Sequence, residues 1–205
     1  MNFDLYYKKT DLFSDALVEN ELGSLSQYRQ SRVMSFENLQ DKNLCLCASL
    51  LLKQGLAKYN IDEKEQEYAF NDFGKPYLKN HPNIHFSLSH SGEYAAAAFS
   101  DREIGCDIQK TGDYSEKLVK RFFTSGEAEH ILNSSDAASE FFRVWTFKES
   151  FIKTVGRGLS ISLSSFEILN LKYRPYVLFE NKKYCFAEKE FEGYKLAVCS
   201  CNFSD

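Results

Sequence analysis

The hydrophobic positions along the chain follow two different periods. Where they recur every three or four residues they predict helices, and where they alternate with polar positions they predict strands. The predicted helices are residues 11–22, 39–59, 115–122, 125–132 and 136–153. The predicted strands are residues 2–7, 67–70, 84–89, 94–99, 103–109, 166–170, 176–179, 183–188 and 194–201. Helices segregated from antiparallel hairpins indicate an α+β fold.

A weak internal repeat runs through this pattern at an offset of 100 residues. Residues 84–100 and 184–200 both predict two short strands around a polar turn, and the helical residues 44–53 align with residues 144–153. The repeated hairpins share the identical pairs Phe86/Phe186, Tyr94/Tyr194, Ala97/Ala197 and Ser100/Ser200. We therefore predict two related α+β halves, residues 1–102 and 103–205.

Composition and charge narrow the class of protein. The chain has 205 residues, 43% of them hydrophobic and 26% charged, which fits a packed globular body and excludes a mainly disordered or fibrous one. The formal net charge of −4 argues against a nucleic-acid partner, so any polyanionic ligand must meet a local cationic site. No segment resembles a membrane span or a signal peptide. We therefore expect a cytoplasmic protein without a membrane partner, whose six cysteines are buried thiols.

One acidic residue falls on the apolar side of the predicted helix 136–153. At 100° per residue, Glu149 lies about 40° from Trp145 and about 20° from Phe142. A carboxylate buried there without a partner is strongly unfavourable, so it requires a cation, a metal ion or a hydrogen-bond donor. The alternative is that Glu149 reaches the solvated edge of the apolar stripe and pairs with Lys153, four residues further on.

The predicted strand 103–109 points two oxygen-bearing side chains to one face. Its two-residue period places Asp107 and Gln109 on the same face as Gly105, which allows another group to approach the backbone closely. Asp107 and Glu149 could share one hard dication such as Mg²⁺, which takes oxygen ligands and substrate phosphates. The alternative for Asp107 is an acid at a strand end or in a turn.

Two further segments predict anion binding. Residues 86–91, F-S-L-S-H-S, place serines and His90 at the end of a strand, and Lys75 lies between a glycine and a proline. Hydroxyls, turn amides and a cation suit a phosphate group. A serine hydrolase is disfavoured, because adjacent strand residues point apart and no G-x-S-x-G motif is present. The structural alternative is that His90 and its serines simply close a hairpin.

Five segments together resemble one enzyme family. They are G-K-P at residues 74–76, F-S-L-S-H-S at 86–91, I-G-C-D-I-Q at 104–109, K-R-F-F at 120–123 and W-T-F-K-E-S-F-I-K at 145–153. Their order and spacing resemble the Sfp-type 4′-phosphopantetheinyl transferases over residues 74–160, whereas the first 70 residues match only loosely. The resemblance implies a pseudodimer of two similar halves, each an antiparallel sheet with packed helices, with coenzyme A between them.

The resemblance also implies an activity and a partner. Such an enzyme transfers the 4′-phosphopantetheine arm of coenzyme A to a serine hydroxyl of an acyl or peptidyl carrier protein and releases adenosine 3′,5′-bisphosphate. It requires Mg²⁺, for which Mn²⁺ can substitute. We expect the chain to act as a monomer. By resemblance, residues 111–123 border the surface on which the carrier docks, with Leu118 and Phe122 as apolar contacts unless both belong to the core.

Carried over by position, residues of this chain take the following roles. Asp107 and Glu149 match the metal ligands, Glu149 also matches the base that takes the serine proton, and Lys153 neutralises charge on the phosphates. The other residues expected to bind coenzyme A are Lys75, Ser89 and His90, with Lys148 and Lys42 as weaker candidates. The register of Arg29 and Arg32 against the family's basic residues stays open.

Gln109 departs from the family pattern, which usually has an acid at this position. A glutamine offers only a neutral oxygen, so we expect a water in its place or weak binding of the amide to the metal, and a higher Mg²⁺ requirement. The missing acid leaves open a non-catalytic module of the same fold that binds carrier protein or coenzyme A. A phosphohydrolase that uses a divalent metal is a third hypothesis. In the repeat, Ser49 stands where the second half has Glu149, which predicts one metal site rather than two.

Overall fold

The computed structural model describes residues 2–10 and 15–201. Its helices are α1 (Asp15–Leu22), α2 (Gln27–Met34), α3 (Leu39–Ala57), α4 (Glu116–Phe122), α5 (Ser125–Leu132) and α6 (Ala137–Val155). Its strands are β1 (Asp4–Lys9), β2 (Tyr68–Phe70), β3 (Pro76–Leu78), β4 (His85–Ser91), β5 (Tyr94–Ser100), β6 (Ile104–Lys110), β7 (Tyr176–Phe179), β8 (Lys182–Phe191) and β9 (Tyr194–Cys201). Short 3₁₀ turns cover residues 63–65, 158–160 and 163–165. Within the described ranges, no helix is both long and apolar enough to cross a membrane.

The predicted α+β class is confirmed, and most predicted elements lie within two residues of their observed bounds. Helix α2 and strand β3 were not predicted. The strand predicted at residues 166–170 is wrong, because this segment contains only an isolated bridge between Leu169 and Tyr176. Residues 11–14 of the first predicted helix lie outside the described residues, and α1 covers the rest.

Each half of the chain builds an antiparallel sheet that packs on one long helix. The first half has the sheet β1-β5-β4, and its core lies between that sheet and α3. The second half has the sheet β6-β9-β8-β7, which packs on α6. The apolar residues on the opposite faces of both sheets form a third cluster between the halves, which includes Ala96, Ile104 and Val198. All six cysteines lie within the described residues, and none of them forms a disulfide.

Serine side chains join the two sheets where the edge strands β4 and β6 meet. The backbone N–H groups of alternate β6 residues donate to alternate serine hydroxyls of β4. The pairs are Cys106 with Ser87 (2.9 Å), Ile108 with Ser89 (3.2 Å) and Lys110 with Ser91 (3.1 Å). An edge strand otherwise leaves such donors unpaired. The alternating serines of F-S-L-S-H-S are thus explained in part by the joint between the halves.

Helix α6 lies unusually close to β6, because one residue of that strand has no side chain. A Cβ atom on Gly105 would lie 2.1 Å from the carbonyl oxygen of Ser150 and 2.4 Å from the backbone nitrogen of Thr154. The helix begins after Asp136, whose side chain accepts a hydrogen bond from the Ser139 N–H, and it ends at Gly156 in the left-handed conformation (φ 71°). Gly105 therefore allows the helix that carries Glu149 to approach the strand that carries Asp107.

Candidate active site

A cavity of about 850 Å³ lies at the joint between the halves and is lined by residues from both. The first half contributes residues of α2 and α3, residues 73–76 and most of β4, whereas the second half contributes residues of β6 and the end of α6. The charged residues that line it are Arg29, Arg32, Lys75, Asp107, Glu149 and Lys153. Two carboxylates thus share a cavity with four cationic side chains, an arrangement suited to a polyanion together with a metal ion.

Asp107 is the most strongly held carboxylate of this cavity, with only 2% of the residue exposed. Its Oδ1 accepts hydrogen bonds from Lys153 Nζ (2.7 Å) and from Ser89 Oγ (2.7 Å). Its Oδ2 accepts one from Gln109 Nε2 (2.9 Å). Since a carboxylate has about four lone-pair sites, these three donors leave it room for one further contact.

Glu149 lines the same cavity but has a different environment. Desolvation raises the pKa of its carboxyl group, and the charge of Asp107 raises it further. The two carboxylates are therefore near enough to repel each other. Among the described residues, no hydrogen bond or ion pair forms with the Glu149 carboxylate. The alternative that Glu149 pairs with Lys153 does not match the structure, because the Lys153 ammonium lies on Asp107.

Burial penalises the charged form of Lys153, but the anions around it, led by Asp107, outweigh that penalty and raise the pKa of the ammonium. Lys153 also donates to Ser89 Oγ (2.9 Å), so three side chains form one connected network. His90, near the end of β4, also lines the cavity, and burial first and the charge of Lys153 second lower the pKa of its imidazole. The neutral ring keeps one N–H available as a donor.

The donor set fits a hard dication. Mg²⁺ is usually held by one or two carboxylates, with waters and substrate phosphates completing its shell. Asp107 and Glu149 supply two carboxylates, and the charge repulsion between them is the kind of strain that a dication relieves. No cluster of three or more Asp, Glu, His or Cys residues suited to a metal occurs in the described parts of the chain. Gln109 presents its amide nitrogen to Asp107 rather than adding a third carboxylate.

The first half contributes a buried guanidinium to the cavity. Arg29 is 6% exposed, and its Nε and Nη2 atoms donate to Ser49 Oγ at 3.0 and 2.8 Å. No carboxylate of the described residues lies within ion-pair distance of it. Arg32 lies one helical turn further on, over the ring of Phe36 at 5.2 Å. A buried guanidinium without a carboxylate partner is a strong site for an anionic ligand.

Three lysines predicted for this site are placed differently. Lys148 is fully buried away from the cavity, where Nζ bonds Glu127 Oε2 (2.7 Å) and two main-chain carbonyls. Lys42 lies in the first turn of α3 and is not among the residues that line the cavity. Lys75 lines the cavity, but its ammonium donates to two main-chain carbonyls, and burial lowers the pKa of this group to about 8.

The sequence left Arg29 and Arg32 unassigned and did not predict α2, the helix that carries them. The available signals were Ser26, which caps α2 by accepting from the Arg29 N–H, and the three-residue spacing of the two arginines. They were too weak for a prediction because only Arg29 and Val33 of this helix are buried. Such a helix shows no apolar stripe.

Two family models divide the chain between them. The model described as 4′-phosphopantetheinyl transferase, N-terminal, matches residues 15–102, and that of the 4′-phosphopantetheinyl transferase superfamily matches residues 103–199. Among curated proteins, the 4′-phosphopantetheinyl transferase Sfp of Bacillus subtilis (strain 168) is 32% identical over 195 residues, which are 90% of this chain and 86% of Sfp. The chain belongs to the Sfp-type 4′-phosphopantetheinyl transferases.

Other relatives of this transferase are similar over comparable lengths. The 4′-phosphopantetheinyl transferase gsp of Aneurinibacillus migulanus is 33% identical over 91% of this chain and 81% of its own. The human L-aminoadipate-semialdehyde dehydrogenase-phosphopantetheinyl transferase is 31% identical over 89% of this chain and 68% of its own. These matches cover both halves, so the transferase assignment extends to the N-terminal region that the sequence motifs matched only loosely.

Proposed function

We propose that this transferase moves the 4′-phosphopantetheine arm of coenzyme A to a serine hydroxyl of an apo acyl or peptidyl carrier protein, with Mg²⁺ bound, and releases adenosine 3′,5′-bisphosphate. The serine oxygen forms a bond to the phosphorus that bears the pantetheine arm. The bond from that phosphorus to the oxygen bridging the two phosphates breaks, and this oxygen leaves with the nucleotide. The serine proton passes to a base of the enzyme.

The residues of the cavity divide this work. Asp107 and Glu149 would hold Mg²⁺, which when bound neutralises charge on the diphosphate. Glu149 takes the serine proton, directly or through a water, and desolvation supports this role by raising the pKa of its carboxyl group. Lys153 donates to the phosphate oxygens on which charge develops. Arg29, Arg32 and His90 bind the remaining phosphate charge from the first half.

The proposal rests chiefly on the charge arrangement of the cavity. Two mutually repelling carboxylates of the second half and a buried guanidinium of the first half, which has no carboxylate partner among the described residues, line one cavity of about 850 Å³. A ligand that carries several phosphates and a bound dication satisfies both sides at once. Because one chain supplies all the residues of the cavity, we further propose that the enzyme acts as a monomer. We also propose that it acts in the cytoplasm.

The decisive experiment is a mass-shift assay with a panel of apo acyl and peptidyl carrier proteins. We expect at least one carrier to gain the mass of one phosphopantetheine group, only when both coenzyme A and Mg²⁺ are present, and a chelator to stop the reaction. Folded enzyme that binds coenzyme A but modifies no carrier would contradict the proposal. Release of adenosine 3′,5′-bisphosphate without any carrier would favour a phosphohydrolase instead.

A further inference from the structure

Lys75 belongs to the first half, but its ammonium is bound by the second. Nζ donates to the main-chain carbonyls of Ile104 and Thr154, each at 3.1 Å. Ile104 is the first residue of β6, and Thr154 lies in the last turn of α6. These are the two elements that carry the carboxylates of the cavity. One side chain therefore bridges both of them at their ends.

The chemistry of these contacts suits a side chain that holds two main-chain segments together. The last carbonyls of a helix have no partner within the helix, and a cation near them also interacts favourably with the helix dipole. Lys75 satisfies one such carbonyl of α6 and one carbonyl of an edge strand. Because a buried carbonyl without a donor is unfavourable, these two hydrogen bonds stabilise the ends of both elements. Two of the three ammonium donors are thus committed to main-chain groups.

The turn that holds Lys75 fits the end of α6 closely. Asn71 Oδ1 accepts from the backbone N–H of Lys75 (2.8 Å) and of Phe73 (3.0 Å), and Asn71 Nδ2 donates to the carbonyl of Gly156 (2.8 Å). A Cβ atom on Gly156 would lie 2.8 Å from Lys75 Cδ and 3.0 Å from Asn71 Nδ2. The Lys75 side chain is therefore tightly packed between the turn and the end of the helix.

We propose that Lys75 is a positioning residue and not a phosphate ligand. Its ammonium holds the last turn of α6 against β6, and this fixes Lys153, the residue before Thr154, in its 2.7 Å contact with Asp107. Loss of these two hydrogen bonds lets the end of α6 shift. A misplacement of about 1 Å near reacting groups lowers a rate by about 100-fold. This inference rests on the proposed function for its assay and for its nucleotide ligand.

The test separates nucleotide binding from turnover in the variant Lys75→Met. We expect the Kd for adenosine 3′,5′-bisphosphate, measured by calorimetry, to stay within about twofold, because Lys75 makes no contact with the nucleotide and Lys153 acts on the charge that develops during transfer. We expect kcat at saturating substrates to fall by about tenfold or more, through misplacement of Lys153. Lys79→Met is the matched control, because Lys79 is an exposed lysine near the same turn that pairs with the exposed Glu67, and it should leave both quantities unchanged.

A rise in Kd of about tenfold or more, with a weaker dependence of Kd on salt, would make Lys75 a phosphate ligand and overturn the proposal. Unchanged kcat together with a lower melting temperature would make its role purely structural, which also overturns it. If Lys75→Met does not fold, Lys75→Gln retains a donor and is measured in the same way. Failure of the wild-type and Lys79→Met enzymes to modify any carrier would refute the proposed function, whereas the Kd comparison would still decide whether Lys75 contacts the nucleotide.

Discussion

Helices α3 and α6 occupy corresponding places in the two halves, but they differ at one matched position. In α6, Glu149 lines the cavity and repels Asp107. In α3, the matched residue Ser49 is fully buried, and its Oγ accepts two hydrogen bonds from the guanidinium of Arg29. The first half thus supplies what we call the cationic wall of the cavity, and the second half supplies the acidic wall, although Lys153 lies on it. The cationic wall consists of Arg29, Arg32 and Lys75, and the acidic wall of Asp107 and Glu149. In the proposed function, a repeated architecture therefore gives one metal site rather than two, because these side chains differ.

The largest expected effect comes from removing the acidic wall. Glu149→Gln should lower transfer by about 10³-fold or more, because it removes the proposed base and a proposed metal ligand together. It should not lower the melting temperature, since the Glu149 carboxylate has no protein partner in the described structure. The matched variant Ser49→Ala should keep kcat within about threefold, since its position has no catalytic group. Mass-shift rates and thermal unfolding measure both, and comparable rate losses in the two variants would remove the contrast between the halves.

The second half also has a buried ion pair, and none of the ion pairs in the described residues of the first half is buried in this way. Lys148 and Glu127 are both fully buried, and Glu127 in addition accepts the N–H groups of Thr124 and Ile168. Lys148→Met should destabilise the protein by about 3–5 kcal/mol, because it leaves a buried carboxylate without its cation.

Chemical denaturation measures this loss of stability. Replacing both partners, as Lys148→Met with Glu127→Gln, should recover most of it, since no unpaired charge remains. Lys117→Met, at an exposed lysine of α4, is the control and should change little. If the double variant were as unstable as Lys148→Met, charge pairing would not be the reason for the effect.

Weakening the cationic wall should affect binding rather than chemistry. Arg29→Met is expected to raise the Kd for adenosine 3′,5′-bisphosphate by roughly 10- to 100-fold, the value of a lost charge-assisted hydrogen bond, with little change in kcat. Calorimetry and saturation kinetics separate the two quantities. A lower kcat at unchanged Kd would mean that Arg29 supports the reacting groups instead of the nucleotide.

A smaller effect is expected when the acidic wall is strengthened. Gln109→Glu should lower the Mg²⁺ concentration for half-maximal activity by several-fold, because it adds a carboxylate beside Asp107 where the amide now donates. A Mg²⁺ titration of initial rates provides the measurement. Half-saturation at the same Mg²⁺ concentration would show that residue 109 does not limit metal binding.

The smallest effect concerns acid stability. Burial lowers the pKa of His90 below its ordinary value of 6.5, so the unfolded chain binds this proton more readily than the folded one. The folded state is therefore favoured fully above pH 6.5 and loses this advantage as the pH falls toward the lowered pKa. His90→Asn should flatten the decline of unfolding free energy between about pH 6.5 and 5. An equally steep decline in the variant would assign the effect to other groups, such as His85, whose pKa is also lowered by burial.

The sequence predicted the elements whose stability is local. Helix α5 and strand β9 have the predicted bounds, because regular periodicity marks both and a capping box begins α5. The segment 166–170 failed for a long-range reason. Its alternating apolar residues resemble a strand, but the Phe166 carbonyl is bound by Lys148 and the Ile168 N–H by Glu127, so side chains replace a strand partner.

Long-range contacts also determine where individual charged side chains of the candidate site lie. The sequence placed Asp107 and Glu149 on faces that could converge, and the structure lines one cavity with both. It gave no sign that Lys148 would be buried, because the partner Glu127 lies on another helix. The position of the Lys75 ammonium likewise depends on the main-chain carbonyls of residues 104 and 154, which no local pattern reveals.

Stoichiometric binding of Mn²⁺ tests the central claim most directly. Free Mn²⁺ is measured by electron paramagnetic resonance while the enzyme is titrated in the presence of coenzyme A. The account predicts one ion per chain in the wild type and in Ser49→Ala, and loss of that ion in Asp107→Asn and in Glu149→Gln. Two ions per chain, or undiminished binding when either carboxylate is replaced, would contradict it.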